Sequence, residues 1–173
     1  MYLMMALMAV WFLPWALLPP NGAFAGVRTY CRWIRWTAHH MLGLRSEIRG
    51  EVPQTEVIVA SKHQSFFDII MLVSVLPRPK FIMKASLKYA PFLGWYGKRI
   101  GCVPVDRGKR GKAIKQMVAG VQNPDAPRGQ LIIYPQGTRV APGVEQAYKV
   151  GVGALYSALG QDVAPAATNV GVF

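Results

Sequence analysis

Runs of apolar residues separated by short polar or proline-rich breaks run along this chain, and their lengths predict the elements. The first run, 1–18, is apolar throughout apart from the hydroxyl of Tyr2. A helix of that length rises about 27 Å, against a hydrocarbon thickness of roughly 30 Å, so it is marginal as a membrane-spanning helix. Pro14 is expected to kink it, and Pro19-Pro20-Asn21-Gly22 to end it. Trp11 and Trp15 suit an interfacial depth. Ala23-Phe24-Ala25 resembles a signal-peptide cleavage site, but the start lacks the basic region such peptides carry. Membrane anchoring or embedding is therefore the favoured reading. A second helix is expected over 26–44. Its Arg28, Arg32 and Arg35 share one face, and Val27, Tyr30, Ile34, Ala38 and Met41 lie on another. A basic amphipathic helix with tryptophans suits an anionic membrane surface. The alternative is a solvated arginine face on a helix packed against the rest of the domain.

Further along, the apolar runs are shorter. Val57–Ala60 predicts a buried strand, and Phe66–Leu76 a buried helix stopped by Pro77 and Pro79. Lys80–Lys84 reads as a strand, and Leu87–Ile100 as a helix with breaks at Pro91 and Gly94. Cys102–Val105 is the next strand. A helix over 109–121 follows, with Ile114, Met117, Val118 and Val121 at helical spacing, and then a loop from Asn123 to Gly129. Leu131–Tyr134 is a strand, Val150–Leu159 a helix, and Val163–Ala167 a last strand. Strands alternating with helices imply an α/β fold, a largely parallel sheet flanked by helices. The expected organisation is an N-terminal membrane-associated two-helix segment, 1–45, followed by an α/β domain, 46–173.

Composition narrows the partners. Over half of the chain, 52%, is apolar, enough to offset ordering entropy by burial and to exclude a disordered chain. Two cysteines, Cys31 and Cys102, make no disulfide framework. The formal net charge is +12, which points to anionic partners. The charges are segregated. Residues 1–27 hold no Asp, Glu, Lys or Arg, while from Arg78 to Lys115 eleven Lys/Arg accompany the single acid Asp106. One end suits lipid and the middle suits phosphate. Nucleic acid would explain the basic middle but not the uncharged start, and no base-reading motif is present. The basic residues after the first run would place the remainder on the cytoplasmic side of a membrane.

The candidate chemistry begins at His63, between a predicted strand and a predicted helix, with Asp68 five residues on. On one continuous helix their side chains would lie about 140° apart. They meet only if His63 is in the turn and Asp68 in the first helical turn, with Ser65 as a plausible N-cap. Histidine is a natural general base near neutral pH, and a carboxylate on its second nitrogen fixes tautomer and orientation. By itself the pair reads better as a capping histidine and an unrelated aspartate. His39 and His40 point to different helix faces, have no ligand partners at metal-binding spacing and are expected to be interfacial or structural. Two strand ends are candidates for phosphate binding, since ligands gather at strand carboxyl ends in such sheets. After Cys102–Val105 comes Asp106-Arg107, where Arg107 could grip a phosphate bidentately. After Leu131–Tyr134 come Gly137, Thr138 and Arg139: a glycine that lets an anion approach the backbone, then two donors.

Together these blocks resemble the glycerolipid acyltransferase family, specifically bacterial 1-acyl-sn-glycerol-3-phosphate acyltransferases. His63-Gln64-Ser65-Phe66-Phe67-Asp68 is similar to its H-x-x-x-x-D block, and Gly101-Cys102-Val103-Pro104-Val105-Asp106-Arg107 to its second block. Tyr134-Pro135-Gln136-Gly137-Thr138-Arg139 resembles F-P-E-G-T-R, with Gln136 in place of glutamate. Val163-Ala164-Pro165-Ala166-Ala167-Thr168-Asn169 resembles its fourth block. Lys84 and the stretch 91–95 look like the segment between the first two. Members of the family usually continue past the fourth block, so the resemblance implies a chain shortened at its C-terminus.

The resemblance implies transfer of a fatty acyl group from acyl-CoA or acyl-carrier protein to the sn-2 hydroxyl of lysophosphatidic acid, giving phosphatidic acid. His63 and Asp68 would be catalytic. Arg107, Gly137, Thr138 and Arg139 would hold the acceptor's phosphate, with Lys84 and Gln136 as further candidates for substrate binding. No metal and no cofactor beyond the acyl donor are implied. The expected partners are membrane lipid and acyl-carrier protein, with no nucleic acid, at the cytoplasmic side of the inner membrane. The alternatives are the same fold with another lysolipid or glycerol-3-phosphate as acceptor, and a non-catalytic lipid-binding protein of the membrane surface.

Overall fold

A computed structural model of the chain describes residues 2–18, 21–106 and 110–172. Five strands form one sheet: β1 (Ile58–Ser61), β2 (Pro79–Lys84), β3 (Val103–Val105), β4 (Gln130–Ile133) and β5 (Val163–Ala166). Their order is β3-β2-β4-β1-β5 and every pairing among them is parallel. Seven helices accompany them among the described residues: α1 (Tyr2–Trp11), α2 (Leu13–Leu17), α3 (Asn21–Leu42), α4 (Phe67–Val75), α5 (Leu93–Arg99), α6 (Arg110–Val121) and α7 (Gly151–Leu159).

Side chains of successive strand residues face opposite ways, so the central strands feed two cores. Ile58, Val103, Val105, Leu131 and Ile133 pack with Met117 of α6 and Leu155 of α7 on one face. Val57, Val59 and Ile132 turn to the other, where Leu76 closes α4. There α4 is itself covered by α3, through Cys31, Ile34, Ile70 and Val73. Burial on both faces explains why the strands read as unbroken apolar runs. It also explains α4, whose Phe67–Val75 sequence is apolar nearly all round. Pro77 ends it by forcing Leu76 into an extended conformation, φ −66° and ψ 136°. At the amino ends of the strands, buried Gln130 accepts from the Arg78 backbone N–H at 2.9 Å and donates to Thr55 O at 2.8 Å.

Several expectations change. Asn21-Gly22 starts α3 instead of ending the first segment. A side chain at Gly22 would collide with the carbonyl of Trp15, and its absence lets α3 turn back against α2. The predicted ends at Pro19-Pro20 and at Lys109 lie outside the described residues. Gly94 sits inside α5, since one glycine costs only about 1 kcal/mol and packing overrides it. Residues 85–89 form a separate 3-10 turn before Pro91.

The apolar start is two short helices, with Pro14 in the first turn of the second, as its missing N–H favours. Among the described residues no helix is long and apolar enough to cross a membrane. Both helices are tied to α5. Tyr96 Oη donates to Ala9 O at 2.7 Å, and the Arg99 guanidinium donates to the carbonyls of Ala16, Leu17 and Leu18. A cation at a helix C-terminus satisfies free carbonyls and complements the dipole.

The arginine face of α3 is occupied by protein. Arg32 donates to Ser74 O at 3.1 Å, and Arg35 to Ser74 Oγ at 2.9 Å and to Ser46 O and Oγ at 3.0 Å. Arg28 reaches Pro77 O at 3.5 Å. These guanidinium groups bind the C-terminal end of α4, where cations complement the helix dipole, and Arg32 stays exposed while doing so. His40 Nδ1 lies 2.8 Å from Trp36 O, a local helical contact.

Candidate active site

In an open parallel sheet the ligand crevice forms where neighbouring strands send their following helices to opposite faces. β1 and β4 are one such pair: α4 follows β1 on one face, and α7 follows β4 on the other. His63 stands just past the end of β1, and 134–139 just past the end of β4. Val140 N donates to His63 O at 2.8 Å and joins the two loops.

The histidine and aspartate meet as the turn-then-helix geometry requires. His63 Nδ1 lies 3.0 Å from Asp68 Oδ2. The same oxygen accepts the backbone N–H groups of Gln64 at 2.6 Å and Ser65 at 2.9 Å. Oδ1 accepts from the Thr168 hydroxyl at 2.9 Å. Ser65 is not the N-cap, which is Phe66; Ser65 Oγ accepts from Phe67 N at 3.0 Å in the turn before α4, where its side chain bonds its own backbone two residues on. Asp68 is 2% exposed and His63 8%. Burial pushes the Asp68 carboxyl up, but bonds from His63, Ser65, Gln64 and Thr168 outweigh it and hold it below the usual carboxylate range. An ionised carboxylate only accepts, so Nδ1 of His63 carries a proton and Nε2 points away from the pair.

The Tyr134 ring stacks on the imidazole, with centroids 4.0 Å apart and planes 17° from parallel. Its hydroxyl is buried and has no hydrogen-bond partner among the described residues. Burial, with Asp68 adding, pushes this phenol well above its ordinary range.

The remaining candidates gather at the same end of the sheet. Gly137 has φ +71°, a conformation that favours glycine, and Thr138 and Arg139 after it are exposed. Gln136 is 2% exposed, so it is buried beneath its exposed neighbours. Lys84 is exposed at the end of β2, opposite Val105 of β3. Arg107 lies outside the described residues. Two side chains that sequence reasoning did not assign belong to the constellation: Thr168, through Asp68, and Tyr134, through His63. The signal for Thr168 was a hydroxyl directly after the last apolar run, where a third strand end would fall.

A parallel α/β sheet with a buried, hydrogen-bonded His–Asp pair past one strand end and a glycine turn past the next defines the class of fold and site. The comparisons then give the family. The family model described as "Acyltransferase" matches residues 43–169, and the chain belongs to that family. It is 29% identical over 149 residues to the 1-acyl-sn-glycerol-3-phosphate acyltransferase of Pseudomonas aeruginosa, covering 85% of this chain and 58% of that one. It is 38% identical over 102 residues to the Saccharomyces cerevisiae enzyme of the same name, covering 57% of this chain and 34% of that one. A lyso-ornithine lipid O-acyltransferase of Pseudomonas aeruginosa is 32% identical over 111 residues, covering 62% of this chain and 40% of that one. The chain thus spans less than two thirds of the length of these relatives. The crystal structure of the 1-acyl-sn-glycerophosphate acyltransferase of Thermotoga maritima superposes with a TM-score of 0.64 at 20% identity, covering 94% of this chain and 73% of that one. That likeness establishes the fold.

Proposed function

We propose that this chain transfers a fatty acyl group from acyl-CoA or acyl-carrier protein to the sn-2 hydroxyl of 1-acyl-glycerol-3-phosphate, forming phosphatidic acid. The observation that carries the reading is the oriented His63, whose Nδ1 is fixed on Asp68 and whose Nε2 is left as base. In this reading Nε2 removes the hydroxyl proton as that oxygen attacks the thioester carbonyl. Asp68 stabilises the imidazolium. The tetrahedral intermediate collapses, the C–S bond breaks, and the departing thiolate takes the proton back from His63. The products are the new ester and the free thiol. Thr138 and Arg139, with Gly137 opening the backbone, hold the acceptor's phosphate, and Arg107 and Lys84 add charge.

The likeness to a lyso-ornithine lipid O-acyltransferase supports a second reading, in which the acceptor is another lysolipid. An acceptor panel of lysophosphatidic acid, glycerol-3-phosphate and a lyso-aminolipid separates the two by initial rate. The membrane-facing part of the proposal rests on α1 and α2. Tyr2, Leu3, Leu7, Val10, Trp11, Trp15, Leu17 and Leu18 are all exposed there. Such a face suits shallow insertion into one leaflet. We place the enzyme on the cytoplasmic side of the inner membrane, from the charge asymmetry of the sequence.

A further inference from the structure

We infer that Lys149 is a further substrate-binding residue, an ammonium laid over the turn at Gly137 to receive a phosphate group. This rests on reading the site as one that handles phosphate-bearing substrates. The loop 141–150 is exposed along its whole length, yet two bonds hold it to the crevice turn. The Lys149 backbone N–H donates to Pro135 O at 2.9 Å, and Gln146 Nε2 donates to Gln136 O at 3.4 Å. The Lys149 side chain then lies flat against Gly137. A Cβ built there would stand 2.8 Å from Lys149 Nζ, 3.2 Å from Cδ and 3.3 Å from Cε. Glycine at 137 is favoured by its positive φ, and its bare surface lies in contact with the lysine stem.

Holding a rotamer-rich lysine on a surface opposes its conformational entropy, and a carboxylate partner would normally offset that. Among the described residues no carboxylate lies within ion-pair distance of Lys149. Asp68 is already engaged by four donors. The ammonium therefore adds unneutralised charge beside exposed Thr138 and Arg139, at the crevice where the acyl acceptor and donor meet. Lys149 at Gly137 adds a third donor to a turn that also carries Thr138 and Arg139, and donors of this number and kind suit a tetrahedral oxyanion. The chemistry is a phosphate group, carried either by the acceptor's glycerol phosphate or by the donor's coenzyme A.

The test is equilibrium binding, which needs no turnover. Wild type, Lys149→Met and Lys149→Arg are titrated separately with sn-glycerol 3-phosphate and with coenzyme A. Circular dichroism checks that each variant is folded. The expected result is a loss of about tenfold in affinity for one of the two probes in Lys149→Met, with substantial recovery in Lys149→Arg. The probe that loses affinity identifies the source of the phosphate. Equal affinities in wild type and Lys149→Met for both probes, or no binding of either by wild type, would overturn the inference. Thioester consumption by wild type, measured alongside, tests the proposed function separately. A Lys149-dependent phosphate site in a protein without transferase activity would keep this inference and discard that reading.

Discussion

Asp68 concentrates the chemistry of the site because it accepts four hydrogen bonds while excluded from water. Its carboxyl titrates below the ordinary value of about 3.9, so its charged form is favoured by folding. The sign follows directly: its contribution is fully present above the unfolded pKa and is lost as pH falls through the lower folded value. Melting temperatures between pH 2 and 7 should therefore fall steeply below about pH 4 in wild type. The fall should be shallower in Asp68→Asn. Thr168→Val removes one donor and leaves Oδ1 short of a partner. It should lower stability by roughly 1–2 kcal/mol, read as a shifted denaturant midpoint, and reduce kcat more than it raises KM. Tyr134→Phe works the other way. It keeps the stack on His63 and removes a buried hydroxyl without a partner. We expect unchanged or raised stability, by about 1 kcal/mol, in the same assay. At this scale His63 and Asp68 were legible from a spacing of five residues and a turn-forming context. Thr168, Tyr134 and Lys149 were not assigned, because their roles depend on β1 lying between β4 and β5 and on a loop folding back, which local pattern does not encode.

Among elements, the strands were read well. The central strands β1 and β4 are short apolar runs buried on both faces, and this is the signal that length and apolar run report. The helices at the N-terminus were read less well. Asn-Gly after two prolines resembles a stop, yet here it begins α3, because Gly22 admits the carbonyl of Trp15. A sequence shows which arginines of α3 share a face and not which protein groups that face meets. Here the face meets Ser46, Ser74 and Pro77. Arg35→Met should therefore lower stability by about 1–3 kcal/mol, since it strips three hydrogen bonds from partly buried partners. Urea titration followed by circular dichroism checks this, and an unchanged midpoint would assign the arginine to solvent.

For the whole molecule, the uncharged and the charged parts of the sequence go to different elements. The uncharged start forms an apolar surface on α1 and α2, braced by Tyr96 and Arg99, and the strand ends carry the His63–Asp68 pair, Lys84 and Arg139. Trp11 and Trp15, 70% and 53% exposed, are built-in reporters of that surface. Their fluorescence should shift to the blue on adding anionic phospholipid vesicles, and the shift should be lost in Leu7→Asp/Trp11→Asp. The central claim is that this sheet positions His63 to move an acyl group, and one measurement bears on it most directly. Detergent-solubilised protein is given acyl-CoA and lysophosphatidic acid, and thioester consumption is followed for wild type and His63→Ala. The account predicts turnover in wild type and a loss of at least about a hundredfold in the variant, the scale of a positioned general base. Equal rates in the two proteins would contradict it.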